Sequence, residues 1–135
     1  MKKRADHIAI LMDGCRLWST ERGLSPSSGL WASALTAAAT IEAAAQSGVR
    51  HLTLIPTDAF AIDVREEAAT VLYQFLRSHG ETFRHLSLRF SAHGELSRLP
   101  LALQHKLQTM TNASAKELGM GLSLLLGYSG RSDLL

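Results

Sequence analysis

An aspartate at the end of an apolar run is the first candidate for chemistry in this sequence. His7–Met12 is an unbroken run with the length and branching of a buried strand, and Asp13 and Gly14 follow it at once. In open α/β sheets, ligands bind outside the carboxyl ends of the strands. A carboxylate at that place can hold Mg²⁺, which takes one or two carboxylates together with substrate phosphates. The alternative is an aspartate that only caps the following turn.

The residues just after Asp13 favour an anionic ligand. Gly14 can offer backbone N–H groups and Arg16 a positive charge, so the pair predicts a phosphate cradle to which Arg22 can contribute. The alternative for Arg22 is a solvated loop arginine. Cys15 has no base beside it in sequence and is more typical of a packed residue than of a nucleophile. It also stands where a phosphatase would carry its second aspartate.

Other known catalytic and metal-binding patterns are absent from the sequence. None of the six histidines has HxxxH or Cys–His spacing, so a zinc site is not expected. His7 and His51 fall at the starts of predicted strands, away from the site, whereas His93 follows a strand and could face it. No GxSxG, P-loop or GxGxxG motif occurs. Trp18 flanks the first loop and is expected to be a core or lid residue.

Alternating strands and helices must position these residues. Apolar runs predict strands at His7–Met12, Val49–Ile55, Leu86–Ala92 and Leu122–Leu126. Helical patterns, each followed by a stopping glycine, are predicted at Leu30–Gln46, Arg65–His79 and from Pro100 to about Leu118. The β-α-β-α-β-α-β order predicts an α/β fold with a parallel sheet and flanking helices. The last strand is entirely apolar and is therefore expected to be central.

The loops that follow the strands should share one edge of that sheet, and any site is expected there. They cover residues 13–26, 56–63, 93–98 and 127–133. The first is expected to be loop, with a short helical turn around Leu17–Arg22.

Length and composition predict one domain, residues 1–135, of ordinary globular type. The net charge of +2 is too small for a sequence-independent nucleic-acid binder, so no nucleic-acid partner is expected. The single cysteine excludes an internal disulfide and favours a reducing compartment. No signal peptide and no transmembrane segment are predicted, because the first apolar run is short and broken by Asp13. We therefore expect a cytoplasmic protein.

Four blocks in order along the chain resemble the cis-prenyltransferases, the undecaprenyl diphosphate synthase family. HIAILMDGCRLWSTERGL resembles the opening signature HxAxxMDGNxRWAxxRGL, and Gly29 falls on the glycine of the family's GHxxG helix start. VRHLTL resembles the second strand, GELSRLP resembles GDLSRLP, and LGYSGRSDLL resembles the NYGGRxEI segment.

The resemblance implies a parallel sheet with a hydrophobic tunnel between sheet and helices. It implies a transferase that condenses isopentenyl diphosphate onto an allylic diphosphate with Mg²⁺ as cofactor. Asp13 matches the signature aspartate, which handles the metal and the diphosphates and is the expected catalytic residue. The resemblance carries over residue by residue to Gly14 and Arg22, and together with Cys15, Arg16 and Trp18 beside them these are the expected substrate-binding positions.

Several departures from the family pattern weaken the expected phosphate sites. Cys15 replaces an asparagine, Leu17 replaces the arginine before the tryptophan, and Leu30 replaces a histidine. The family's FSTENW loop corresponds to Thr57–Ile62, where Asp58 is the acid that remains. The RTGGExR segment, which binds the second diphosphate and lies at the dimer interface, would come after Leu135, so a truncated version of the fold is expected.

Three functional interpretations remain open on the sequence. The first is a prenyltransferase-like enzyme that handles prenyl diphosphates through Asp13, as a homodimer or as a heterodimer with a second family member that supplies the arginine segment. The second is a non-catalytic subunit or binding module that retains the fold. The third, an unrelated hydrolase or phosphatase using Asp13, is least favoured by the four blocks. Association is also predicted because a parallel sheet ending with Leu122–Leu126 would leave an open edge.

Overall fold

The computed structural model describes residues 6–56 and 65–126. Four strands are present: His7–Leu11 (β1), His51–Ile55 (β2), Arg89–Gly94 (β3) and Gly121–Leu126 (β4). Four α-helices accompany them: Cys15–Glu21 (α1), Pro26–Gln46 (α2), Arg65–His85 (α3) and Leu101–Ser114 (α4). A short 3-10 helix, Leu96–Arg98, follows β3. The predicted α/β fold with flanking helices is confirmed.

The four strands form one parallel sheet in the order β1-β2-β4-β3. β4 lies between β2 and β3, which confirms the prediction that the apolar last strand is central. The prediction of an open edge at this strand is wrong. After β2 the chain crosses to the far edge of the sheet, where it forms β3, and it then returns through α4 to form β4 between β2 and β3. The two edges of the described sheet are therefore β1 and β3.

The sheet has one apolar face, which carries the core. Even-numbered strand residues lie on it, and the register places Leu52, Leu122 and Phe90 side by side across three strands. These side chains are fully or almost fully buried. The long helices add Ile41 from α2 and Leu76 from α3 to the same cluster. The packing of these helices against the sheet fixes the positions of the strand ends.

Two predicted helix ends are wrong, and packing explains one of them. The prediction ended α3 at Gly80, but the helix continues to His85 and buries Phe83 in the core. A glycine costs a helix roughly 1 kcal/mol, less than the roughly 1.5–3 kcal/mol gained by burying a phenylalanine. α4 ends at Ser114, before the predicted Leu118. No helix within residues 6–56 and 65–126 has an apolar stretch long enough to cross a bilayer.

Candidate functional site

A tight turn at Asp13 and Gly14 joins β1 to α1. The Met12 N–H donates to the Ile55 carbonyl at 2.8 Å, so the chain stays paired with β2 up to the turn. Gly14 has φ +90°, a left-handed conformation that glycine adopts without strain. Its N–H donates to Asp13 Oδ1 at 2.9 Å. Gly14, and not Asp13, is the N-cap residue of α1, and the Asp13 carboxylate supports the turn by accepting the Gly14 N–H.

The helical turn predicted around Leu17–Arg22 is present as α1, and the end of the predicted loop forms the start of α2. α2 begins at Pro26, whose fixed φ suits a first helical position, and not at Leu30. The two helices cross closely at Gly29, where a Cβ atom would stand 2.1 Å from the Cys15 carbonyl oxygen. The same Cβ would be 2.4 Å from Ser19 Oγ, a fully buried atom without a hydrogen-bond partner in the described part of the chain. The absent side chain at Gly29 therefore sets the position of α1.

A cleft of about 290 Å³ opens between the end of β1, α1 and α2. It brings together four of the residues predicted from the sequence: Asp13, Gly14, Cys15 and Trp18. α1 carries Cys15 and Trp18, and α2 contributes small side chains. The remaining lining residues are Ile10, Leu11, Met12, Gly29, Ala32, Ser33 and Thr36.

Arg22 does not join the described lining of this cleft. The Arg22 guanidinium lies 4.4 Å from the centre of the Trp18 ring and donates from Nη1 to the Trp18 carbonyl at 3.1 Å. The Arg22 side chain therefore packs against Trp18 of the preceding helix turn. Arg16 lies in the first turn of α1, and its side chain falls outside the described part of the structure. The second and fourth predicted loops, including Asp58, also lie largely outside the described residues.

A second, apolar cavity of about 70 Å³ lies between the sheet, α2 and α3. Met12 and Ser33 line both this cavity and the cleft, so the two spaces adjoin at these residues. The family resemblance predicted a hydrophobic tunnel between sheet and helices, but the residues that form the wall of this cavity were not predicted. The alanine-rich pattern of α2 was the available signal, because small side chains leave room above a sheet. The other lining residues are Leu30, Ala34, Ala37, Leu54, Pro56, Ala68, Val71, Leu72, Phe75, Leu124 and Leu126.

The donor set at the cleft suits a metal only in combination with a ligand. Asp13 is exposed, and neither of the ion pairs found within residues 6–56 and 65–126 involves it. The same residues contain no group of three or more His, Cys, Asp or Glu side chains that could hold a metal ion. A single carboxylate is, however, what Mg²⁺ uses when substrate phosphates complete its coordination. The residues therefore fit a Mg²⁺ that arrives with a phosphorylated ligand.

The histidines lie elsewhere. His7 and His51 are at the amino ends of β1 and β2, as predicted. His93, which was expected to be able to face the site, is hydrogen-bonded through Nε2 to Ser91 Oγ at 3.1 Å on the face of the sheet away from the core. It is not among the residues that line the cleft.

The chain is similar to known proteins over nearly its whole length. Residues 11–135 match the family model described as "Putative undecaprenyl diphosphate synthase". The isoprenyl transferase of Aquifex aeolicus (strain VF5) is 28% identical over 137 residues, covering 98% of this chain and 59% of the relative. The isoprenyl transferase of Clostridium tetani (strain Massachusetts / E88) is 31% identical over 133 residues, covering 96% and 52%.

Solved structures show the same fold. Lavandulyl diphosphate synthase from Lavandula x intermedia, solved in complex with dimethylallyl diphosphate, has a TM-score of 0.84 and 30% identity. The match covers 95% of this chain and 57% of that structure. A probable undecaprenyl diphosphate synthase from Campylobacter jejuni has a TM-score of 0.69 at 19% identity, which bears on the fold alone. The chain thus spans less than 60% of the length of these relatives.

Proposed function

Because the chain belongs to the undecaprenyl diphosphate synthase family, we propose that it binds an allylic prenyl diphosphate and takes part in transfer of the prenyl group. One observation carries this proposal: a cleft that contains a carboxylate adjoins an apolar cavity at Met12 and Ser33. A prenyl diphosphate has the same two parts, a charged head and an apolar tail. The order of the two spaces supports a diphosphate head at Asp13 and a tail between sheet and helices.

The Asp13–Gly14 turn is the proposed site of the diphosphate head. Asp13 would hold Mg²⁺ together with diphosphate oxygens, and the metal would supply charge neutralisation to the leaving diphosphate. Gly14 can turn its backbone towards the ligand because it has no side chain in the way. Cys15 and Trp18 form the α1 side of the cleft, where Trp18 shields the head from water. Arg16 is proposed as an additional diphosphate contact, and Arg22 as a residue that steadies Trp18.

The apolar cavity is the proposed site of the tail. Its walls are alanine and leucine from α2 and the strands, with Phe75 from α3. In the transfer, the allylic C–O bond breaks and its electron pair leaves with the diphosphate. The alkene of the acceptor then forms the new C–C bond and a proton is lost. An apolar wall around the cationic carbon keeps water from capturing it. The transfer therefore needs the tail to remain in the cavity while the diphosphate departs.

We propose that the transfer takes place in a complex, in the cytoplasm. Among the described side chains, the cleft lining has one carboxylate and no lysine or arginine, and a second diphosphate requires several cations to hold it. A second subunit, either another copy or a longer family member, could supply them. This part of the proposal predicts that turnover depends on protein concentration, or on the presence of a longer family member.

Binding of dimethylallyl diphosphate tests the proposal. In a Trp31→Phe background, Trp18 is the remaining tryptophan and reports on the cleft by fluorescence. Asp13→Ala should weaken Mg²⁺-dependent binding of dimethylallyl diphosphate at least about tenfold, because it removes one charge-assisted contact. Ser33→Leu should fill the junction between cleft and cavity. If the tail buries on the order of 100 Å², the loss of this burial weakens binding by roughly 2.5 kcal/mol, or about 70-fold.

Inorganic diphosphate provides the matched control. Ser33→Leu should leave its affinity unchanged, because it has no tail, whereas Asp13→Ala should weaken both ligands. Unchanged binding of dimethylallyl diphosphate in both variants would contradict the proposed site.

A non-catalytic binding subunit is the second candidate, and the cleft itself favours it. Within the described side chains, no lysine or arginine lines the cleft, and Arg22 is held against Trp18. Co-expression with a full-length family member separates the two functions. If the chain is catalytic, Asp13→Ala in this chain abolishes product formation from labelled allylic diphosphate and isopentenyl diphosphate. If it is a binding subunit, product forms only with the full-length partner and is insensitive to Asp13→Ala.

A further inference from the structure

Two of the described residues stand where the cleft meets the apolar cavity: Met12 on β1 and Ser33 on α2. Met12 carries a thioether, which has no hydrogen to donate. Ser33 is half-buried and carries a hydroxyl, which can donate one hydrogen bond and accept others. Of these two side chains, only Ser33 can therefore donate a hydrogen bond to a molecule that extends through both spaces.

The Ser33 hydroxyl differs from the other hydroxyls of α2. This helix carries five of them, and four are hydrogen-bonded. Thr36 and Thr40 donate to the carbonyls four residues earlier at 3.1 and 2.8 Å. Ser27 and Ser28 are bonded to the hydroxyl of the N-cap serine at 3.1 and 3.2 Å. Within residues 6–56 and 65–126, Ser33 Oγ makes no hydrogen bond.

The helix itself offers Ser33 an acceptor. A serine inside a helix commonly turns its hydroxyl to the carbonyl four residues earlier. For Ser33 this acceptor is the Gly29 carbonyl, which lies in the same unbroken helix. The Ser33 side chain instead forms part of the wall of both spaces. Its hydrogen-bonding capacity is therefore directed at the junction.

The cavity side of the junction offers this hydroxyl no partner in the described part of the chain. Ser33 is the only polar side chain among the described residues that line the cavity, and Leu30, Ala34 and Ala37 are its neighbours on α2. A hydroxyl against an apolar wall is unfavourable unless it makes a hydrogen bond. A ligand with an acceptor at the junction would remove this penalty.

The position of Ser33 is held from two sides. One turn earlier, Gly29 lets α2 approach α1 so closely that a Cβ there would stand 2.1 Å from the Cys15 carbonyl oxygen. Across the junction, the Met12 N–H donates to the Ile55 carbonyl at 2.8 Å, which holds the β1 end in place. A donor in a fixed position needs no rearrangement when charge develops on its acceptor.

In the proposed function, the atoms at the junction are those that link the head of the ligand to its tail. They are the first carbon of the prenyl group and the ester oxygen that joins this carbon to phosphorus. Only the oxygen can accept a hydrogen bond. When the C–O bond breaks, the electron pair remains on this oxygen, so its negative charge grows and a hydrogen bond to it becomes stronger.

We propose that Ser33 contacts the substrate and that its hydroxyl donates a hydrogen bond to the ester oxygen of the bound allylic diphosphate. The hydroxyl keeps its proton throughout, and the oxygen leaves with the diphosphate. This inference rests on the proposed function and extends it, because it assigns recognition of the leaving oxygen to a side chain of α2. Asp13 and Ser33 would then hold the head at its two ends.

A matched pair of ligands tests the contact. The first is dimethylallyl diphosphate, and the second is its phosphonate analogue, in which a CH₂ group replaces the ester oxygen and cannot accept a hydrogen bond. Affinities are measured with Mg²⁺ by Trp18 fluorescence in the Trp31→Phe background. Ser33→Ala should weaken binding of dimethylallyl diphosphate about fivefold, a typical effect of one hydrogen bond. The affinity for the analogue should not change.

A control variant and a control ligand make the test specific. Thr40→Val removes a hydroxyl from the same helix, outside the described linings of both spaces, and should leave both affinities unchanged. Inorganic diphosphate has no tail to hold an oxygen at the junction, so it should bind the wild type and Ser33→Ala equally. Ser33→Ala should also unfold at the same or a higher urea concentration, because alanine favours a helix.

Three results would overturn this inference alone, provided that Asp13→Ala still weakens binding. Equal weakening of both ligands by Ser33→Ala would mean that Ser33 shapes the junction without contacting the ester oxygen. An unchanged affinity for both ligands would exclude the contact. A clear loss of stability in Ser33→Ala would reveal an internal partner for the hydroxyl. Absence of dimethylallyl diphosphate binding to the wild type would overturn the proposed function as well.

Discussion

Gly29→Ala is the sharpest test of how α1 is positioned. The new Cβ would stand 2.1 Å from the Cys15 carbonyl oxygen and 2.4 Å from Ser19 Oγ. Since carbon–oxygen contacts need more than 3 Å, α1 must move away from α2 by roughly 1 Å. Overpacking of this kind costs about 1–3 kcal/mol, and the better helix propensity of alanine returns at most about 1 kcal/mol. The variant should therefore lose about 1–2 kcal/mol of its free energy of unfolding.

Urea denaturation followed by circular dichroism measures this loss. The loss corresponds to a Tm lower by roughly 3–8 °C for a domain of this size. Gly80→Ala is the matched control, because Gly80 lies inside α3 and a Cβ there meets no atom within 4 Å. It should gain about 0.5–1 kcal/mol. Opposite signs for the two variants are the expected result.

The same displacement should reach the cleft. Gly29, Cys15 and Trp18 line it together, so a shift of α1 changes the environment of Trp18 and weakens dimethylallyl diphosphate binding in the folded variant. A Gly29→Ala protein as stable as the wild type would refute the argument, because it would mean that the crossing relaxes without cost.

Three further predictions concern single residues. Ser19→Ala should be neutral or stabilising by up to about 1 kcal/mol in urea denaturation, because Ser19 Oγ is buried without a hydrogen bond in the described structure; a loss above 1 kcal/mol would reveal a missed partner. Gly14→Ala should destabilise by about 1–2 kcal/mol, because φ is +90° there; an unchanged midpoint would contradict that conformation. Burial lowers the pKa of His51, so the unfolded chain binds the imidazole proton more readily than the folded chain. Stability should therefore be full above pH 6.5 and fall as the pH drops below it, and His51→Gln should flatten that decline. Equal pH dependence in both proteins would exclude His51 as its source.

The fold was predictable because its signals are local and repeated. Apolar runs of β-branched and leucine residues marked all four strands, and alternation with helices was enough to predict a parallel sheet. Strand order was harder, since it depends on where the chain turns after β3 and not on any single segment. The prediction that α3 ends at Gly80 was wrong for the same reason. The burial of Phe83 is a tertiary effect that outweighs the local helix-stopping signal of the glycine.

The site was predictable in part. Four of the predicted residues are close in sequence: Asp13, Gly14, Cys15 and Trp18. The strand-to-helix turn therefore brings them together regardless of how the rest of the chain folds. Ser33 enters the cleft only through the crossing of α1 and α2, and that crossing depends on a missing side chain at Gly29. A missing side chain leaves little trace in sequence patterns of hydrophobicity or charge. Arg22 was predicted to bind substrate from its charge and from the family resemblance, but it stacks on Trp18 and is not among the described residues that line the cleft.

A row of hydrogen bonds on the face of the sheet away from the core obeys a rule of proton number. Three links join His51 Nε2, the hydroxyls of Ser123 and Ser91, and His93 Nε2. The two hydroxyls provide two protons, so at least one histidine must donate the third. The two end nitrogens therefore cannot both lack a proton while all three links persist. Two histidines on different strands are thereby coupled, because either can lose its Nε2 proton only while the other keeps one.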